Sequence, residues 1–220
     1  MQRTRHAHGM TLIELMIVIS IITIVVALAV PNLLSAKSAA NETSAIGSLR
    51  GIVSIEAAFR QNDADRNTVS DYWTADLSGL YRVESQVLVG TGIAMIDPAL
   101  ASADDAKESP AGIPGALVPG TAVTAAGLIP MLRTAGKSGY LFQTMAAYRT
   151  DPDNNGQPWT NTSTYGFQAR PEDYATSGRN TYIMSDAGVS YSLDFGNNAA
   201  INGAAWPAAN PTTVGWKPVQ

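Results

Sequence analysis

Gly9-Met10-Thr11-Leu12-Ile13-Glu14-Leu15-Met16-Ile17-Val18-Ile19-Ser20-Ile21-Ile22-Thr23-Ile24-Val25-Val26-Ala27-Leu28-Ala29-Val30-Pro31 sets the terms for everything that follows it. From Met10 to Val30 the only charged side chain is Glu14, and the remaining polar side chains are hydroxyls. As a helix rising about 1.5 Å per residue, this run is about 31 Å long. A bilayer's hydrocarbon core is roughly 30 Å thick. Thr11, Ser20 and Thr23 can return their hydroxyls to the helix's own carbonyls, so they do not spoil a membrane span.

Glu14 stands out. A carboxylate in an apolar helix costs on the order of 2.5–3.5 kcal/mol at the bilayer centre, and such residues are functional by default. Here it lies in the first turn, where the helix dipole and a free amino terminus favour negative charge. The plainer reading is a carboxylate that snorkels to the headgroups from a position near the helix end.

The preceding residues, Met1-Gln2-Arg3-Thr4-Arg5-His6-Ala7-His8-Gly9, are short, basic and end in glycine. An ordinary secretory signal has an apolar run of about 7–15 residues followed by a small-residue cleavage site. This run is longer, and Pro31-Asn32-Leu33-Leu34-Ser35 is a poor site for such a cut.

These residues together resemble the type IV pilins and the related pseudopilins of type II secretion. The family signature is a short basic leader ending in Gly, then an apolar helix with Glu fifth and Pro near the twenty-second position. Counted from Met10, Glu14 is fifth and Pro31 is twenty-second. Met10 departs from the usual Phe. The resemblance implies cleavage between Gly9 and Met10 by a prepilin peptidase, and N-methylation of Met10. It implies a single-pass anchor in the bacterial inner membrane with an extracytoplasmic head, and polymerisation with copies of itself by an inner-membrane assembly machinery. In that filament Glu14 would face the Met10 amine of a neighbouring subunit. Two opposite charges in a low-dielectric core attract strongly, and such a pair sets register more than it adds stability.

The implied fold is α+β: a long N-terminal helix, transmembrane in its first half and amphipathic in its second, packed on a C-terminal antiparallel sheet. The segments are a leader at 1–9, an anchor at 10–31 and a head at 32–220. The head takes the helix on to about residue 62 and places the sheet at about 139–196. Ile46, Leu49, Ile52, Val53 and Phe59 recur at helical spacing and mark the face that covers the sheet. Gly47 and Gly51 form a G-x-x-x-G pair beyond the span, read as small residues where the helix meets the sheet or a neighbour. Tyr140, Phe142 and Thr144 alternate with Leu141, Gln143 and Met145, while Tyr165, Phe167 and Ala169 share one side of another strand. Ser185-Asp186-Ala187-Gly188 is a hairpin turn between two further strands. From Asp71 to about Pro130 the pattern is poor: Leu80-Tyr81-Arg82-Val83 and Gln86-Val87-Leu88-Val89 read as short strands or helix turns, and the turn-rich stretch at 110–120 as a long surface connection. The end from Gly196 reads as an irregular tail, with Trp206 and Trp216 either pinning it back or free for a partner.

The 220 residues carry 14 basic and 18 acidic side chains. Without Arg3 and Arg5 of the leader, 12 basic side chains face the 18 acidic ones, a balance of −6. That balance speaks against a sequence-independent nucleic-acid binder, and no nucleic-acid contact is evident. There is no cysteine, so packing, hydrogen bonds or a metal must hold the C-terminal end. Asp151-Pro152-Asp153-Asn154-Asn155-Gly156 matches the opening of a calcium loop, with Asp151, Asp153 and Asn155 as alternate oxygen ligands. Thr162 stands where the closing glutamate belongs, so a site would need other oxygens, such as those of Asp173 or Asp186. An Asp/Asn/Gly turn without metal explains the same residues. Both histidines, His6 and His8, lie in the leader, so the mature chain has no histidine base or ligand. Asp104-Asp105 and Asp63/Asp65 read as solvated loop carboxylates. An enzyme is not expected. A structural filament subunit is, with a pilus role (adhesion, motility or DNA uptake) ahead of a type II secretion pseudopilin. A membrane-tethered binding module is the further alternative.

Overall fold

The computed structural model describes residues 10–64, 68–74, 76–81, 83–84, 92–105, 135–145, 160–161, 163–197, 206–207 and 210–219. The chain divides into two compact units, Met1–Lys37 and Ser38–Gln220.

One helix, α1 (Leu12–Asn62), contains the apolar run and continues through Pro31. Within the first unit the hydroxyls behave as small-chain physics requires. Ser20 donates to the Met16 carbonyl and Thr23 to the Ile19 carbonyl, both at 2.7 Å. Asn32 donates to the Leu28 carbonyl at 3.2 Å, just past the proline, which has no N–H of its own to give. The large apolar side chains from Met10 to Leu34 are all exposed.

In the second unit α1 buries Ala45, Leu49, Ile52, Glu56 and Phe59, a 4-3-4-3 spacing that keeps one face inward. The helix stops in a Schellman motif. Asp63 takes φ 45°, the Ala64 N–H donates to the Phe59 carbonyl at 3.1 Å, and the Asp63 N–H donates to the Arg60 carbonyl.

The main sheet has five antiparallel strands: β4 (Tyr140–Thr144), β6 (Gly166–Pro171), β7 (Asn180–Ser185), β8 (Ser190–Asp194) and β9 (Lys217–Val219), side by side in that order. Phe142 sits opposite Ala169, and Ala169 opposite Tyr182, so one face aligns across three strands. Tyr140, Phe142, Phe167, Ala169, Tyr182 and Met184 pack with Leu49, Ile52 and Phe59 of α1. The other face carries a smaller cluster of Met145, Ile183 and Trp216. The α+β layout, the alternation in these strands and the hairpin at 185–188 are as the sequence predicts.

At three places the structure corrects or completes these expectations. The described part of the 71–105 region is core, and short elements stand about 80–83 as the sequence suggests. It forms β1 (Tyr72–Trp73), a 3-10 turn (Ser78–Tyr81), β2 (Val83–Glu84), β3 (Gly92–Ile93) and α2 (Pro98–Ser102), and it buries Trp73, Leu77, Leu80, Leu100 and Ala101. Elements this short leave no periodicity to read. β1 pairs with a second two-residue strand, β5 (Thr160–Asn161). The turn-rich loop at 110–120 lies outside the described residues.

The tail is not irregular at its end. Asn210 caps a 3-10 turn (Pro211–Val214), Gly215 takes φ 95°, and β9 adds an edge strand to β8. Trp216, 6% exposed, pins it. Finally, of the two surroundings read for Gly47 and Gly51, sheet or neighbour, the sheet is not the one they meet: both are exposed, and an added Cβ would touch nothing within 4 Å.

Candidate functional site

The candidate site is the start of α1, and its local geometry follows from Thr11-Leu12-Ile13-Glu14. The first backbone N–H groups of a helix lack intrahelical acceptors. Here Glu14 reaches back and accepts the Thr11 N–H at 2.7 Å and the Thr11 hydroxyl at 2.8 Å. The Glu14 N–H in turn donates to the Thr11 hydroxyl oxygen at 3.2 Å. This is a reciprocal capping box. It corrects the reading of Thr11 as a hydroxyl returned to a helix carbonyl, and the Thr-x-x-Glu spacing was the signal for it. Glu14 is thus not a bare carboxylate within the subunit.

Of the remaining assembly and processing residues, Met10 is exposed and Pro31 lies inside α1. Gly9 and the rest of the leader lie outside the described residues. α1 contains a stretch long and apolar enough to cross a membrane.

Comparison with known proteins bears on this same region. Residues 4–30 match the prokaryotic N-terminal methylation motif. The chain is also 45% identical over 56 residues to the type IV wide pilus major component PilA4 of Thermus thermophilus. The chain thus carries a prokaryotic N-terminal methylation motif and is similar, over part of its length, to a type IV pilus subunit. The match covers 26% of the chain, which spans 43% of that relative's length. No solved structure matches the chain.

The sheet is fastened to α1 by polar contacts that hydrophobic spacing does not reveal. Glu42 accepts the N–H groups of Arg179 (2.9 Å) and Asn180 (3.4 Å), the Asn180 side-chain amide (3.1 Å) and the Tyr182 hydroxyl (3.1 Å). Burial, and then the Glu42 charge, push the Tyr182 phenol above its ordinary range. Beside it, Asn41 donates to the Ser177 carbonyl at 2.8 Å.

Asp104 and Asp105 are not solvated. Asp104 is fully buried and accepts the Ser78 N–H at 2.7 Å. Asp105 is gripped by Arg170 through two hydrogen bonds, at 2.7 and 2.6 Å. This closes the outer edge of β4, where the Asp105 N–H donates to the Phe142 carbonyl and the Phe142 N–H donates to the Ala103 carbonyl.

The possible calcium ligands Asp151, Asp153 and Asn155 lie outside the described residues, as does Asp65. Asp173 and Asp186 are exposed. Among the described residues no cluster of three or more His, Cys, Asp or Glu side chains is placed to hold a metal.

Proposed function

We propose that this chain is the structural subunit of a type IV pilus-like filament. It is made as a membrane-anchored prepilin, cleaved after Gly9, N-methylated at Met10 and polymerised through α1. The reading divides the chain into the leader 1–9, the filament-core helix 10–31 and the head 32–220. The observation that carries it is the long apolar start of α1, with every large apolar side chain from Met10 to Leu34 exposed, directly behind a matched methylation motif. A water-soluble protein does not leave a contiguous apolar surface of that size uncovered. A bilayer first, and the helices of neighbouring subunits afterwards, give those side chains an apolar surrounding.

Glu14 then has two partners in sequence: Thr11 of its own chain before assembly, and the Met10 amine of a neighbour afterwards. The similarity to a pilus major component supports a pilus over a secretion pseudopilus. Prepilin peptidase and an inner-membrane assembly machinery are the partners this requires. No catalysis and no cofactor enter the reading.

The test is mass spectrometry of filaments sheared from cells, beside the inner-membrane fraction. Abundant sheared protein beginning at N-methylated Met10 supports the pilus. The same processed terminus confined to the membrane would point to a pseudopilin or minor subunit. An unprocessed terminus in both fractions would overturn the filament reading, and a Glu14→Ala chain that still functions would favour a tethered module.

A further inference from the structure

We propose that the folded head holds a proton on Glu56, and that loss of this proton as pH rises releases the Asp71–Trp73 segment from α1. Glu56 is completely buried. One of its carboxyl oxygens accepts the Trp73 N–H at 2.9 Å, and the other, Oε1, has no hydrogen-bond partner.

Among the described residues, the groups facing it offer no positive charge. Asp71 brings a second buried carboxylate from the segment leading into β1. Tyr165, just before β6, donates its hydroxyl to the Val53 carbonyl at 3.4 Å, with Asp186 and Tyr72 acting on it from beyond. Arg60, one helical turn along from Glu56, is where an i,i+4 ion pair would be looked for. Its guanidinium goes instead to Tyr72, donating to the hydroxyl at 2.9 Å and lying 4.8 Å over the ring centroid.

A buried carboxylate with one oxygen unpartnered and no cation is costly when ionised and tolerable when neutral. Burial, followed by the Asp71 charge, pushes the Glu56 carboxyl well above the usual range, against the pull of the Trp73 N–H. Among the described residues the strand pairing of this segment is short: β1 is two residues long and pairs with the two residues of β5. Release exposes Trp73, whose ring is buried against Phe59 at 6.3 Å between centroids.

The sign follows from linkage. In the opened segment Glu56 titrates near its ordinary value of about 4.3. Below that pH both states are protonated and the closed segment keeps its full stability. Above it, each opening frees one proton, so the opening equilibrium rises about tenfold per pH unit until the raised folded-state value is passed.

Hydrogen exchange of the full-length chain in detergent micelles tests this, read at the Trp73 amide between about pH 5 and 8. Intrinsic exchange is corrected for, and the Ile183 amide serves as an internal reference. The expected result is a Trp73 opening that climbs about tenfold per pH unit, a flat profile in Glu56→Gln, and a climb that levels off at lower pH in Asp71→Asn. Infrared spectroscopy gives a direct readout, a protonated carboxylic C=O band at neutral pH that vanishes in Glu56→Gln. A flat wild-type profile, a Glu56→Gln profile that still climbs, or no such band at neutral pH would each overturn the proposal. If Glu56→Gln does not fold, the wild-type band and the earlier levelling-off in Asp71→Asn decide.

Discussion

Glu42 of α1 accepts the hydroxyl of Tyr182 at 3.1 Å, across 140 residues of chain. It is one of four hydrogen bonds that converge on that carboxylate, two of them from backbone N–H groups. Glu42→Ala strands all four donors, and hydrogen bonds to charged groups contribute about 1.5–3 kcal/mol each. The expected loss is about 2–3 kcal/mol in chemical denaturation, against about 1 kcal/mol for Tyr182→Phe. The double variant is expected to lose less than the sum, because the two share one network.

Thr11 supplies both the hydroxyl and the N–H that Glu14 accepts. Thr11→Ala removes one Glu14 partner and the N-cap together, at a cost of about 1 kcal/mol, whereas Thr11→Ser keeps both. Filament yield from cells carrying each variant is the measurement. Thr11→Ser is expected to match wild type and Thr11→Ala to fall below it.

The Arg170–Asp105 pair is bidentate, and its side chains are 16% and 17% exposed. Lysine presents a point charge and cannot reproduce the fork. Arg170→Lys is therefore expected to cost about 1–3 kcal/mol, with faster hydrogen exchange at Phe142 and Asp105. An exposed pair would be worth well under 1 kcal/mol. The Lys137–Asp97 pair at 2.8 Å, with 28% and 51% exposure, serves as that control.

Trp216 closes the outer face of the sheet over Met145 and Ile183. Truncating a buried Trp to Ala costs about 3–5 kcal/mol. Trp216→Ala is expected to lower stability by about 3 kcal/mol and to free β9 first, visible as loss of exchange protection in the Ser190–Asp194 amides before those of Asn180–Ser185.

The spacing of Asp151, Asp153 and Asn155 suits a metal-free turn as well as a calcium loop, and the closing glutamate of the latter is replaced by Thr162. Thermal unfolding of the protein is accordingly expected to be the same with calcium and with a chelator. Tight calcium binding to the folded state would raise the midpoint with calcium concentration, and such a rise would assign the loop a metal after all.

What the chain's order of residues determined by itself is its local physics. A hydrophobic run with a single early carboxylate is legible as an anchor because transfer to lipid sums residue by residue. The alternation of Tyr140, Phe142 and Thr144 with their neighbours is legible because a strand's side chains change face at every step. Thr11 and Glu14 lie three apart in the chain, so their capping box belongs to the same category.

Tertiary structure decided the rest. Glu56 and Asp104 look like ordinary polar residues, and only the arrival of Trp73 on one and Ser78 on the other makes them buried. Gly47 and Gly51 share a helix with the core residues, yet the packing of Leu49 and Ile52 turns them to solvent. Lys217–Val219 has no strand signal until β8 offers it an edge. Burial and long-range pairing depend on which distant segment comes to lie alongside, and no spacing within a segment encodes that.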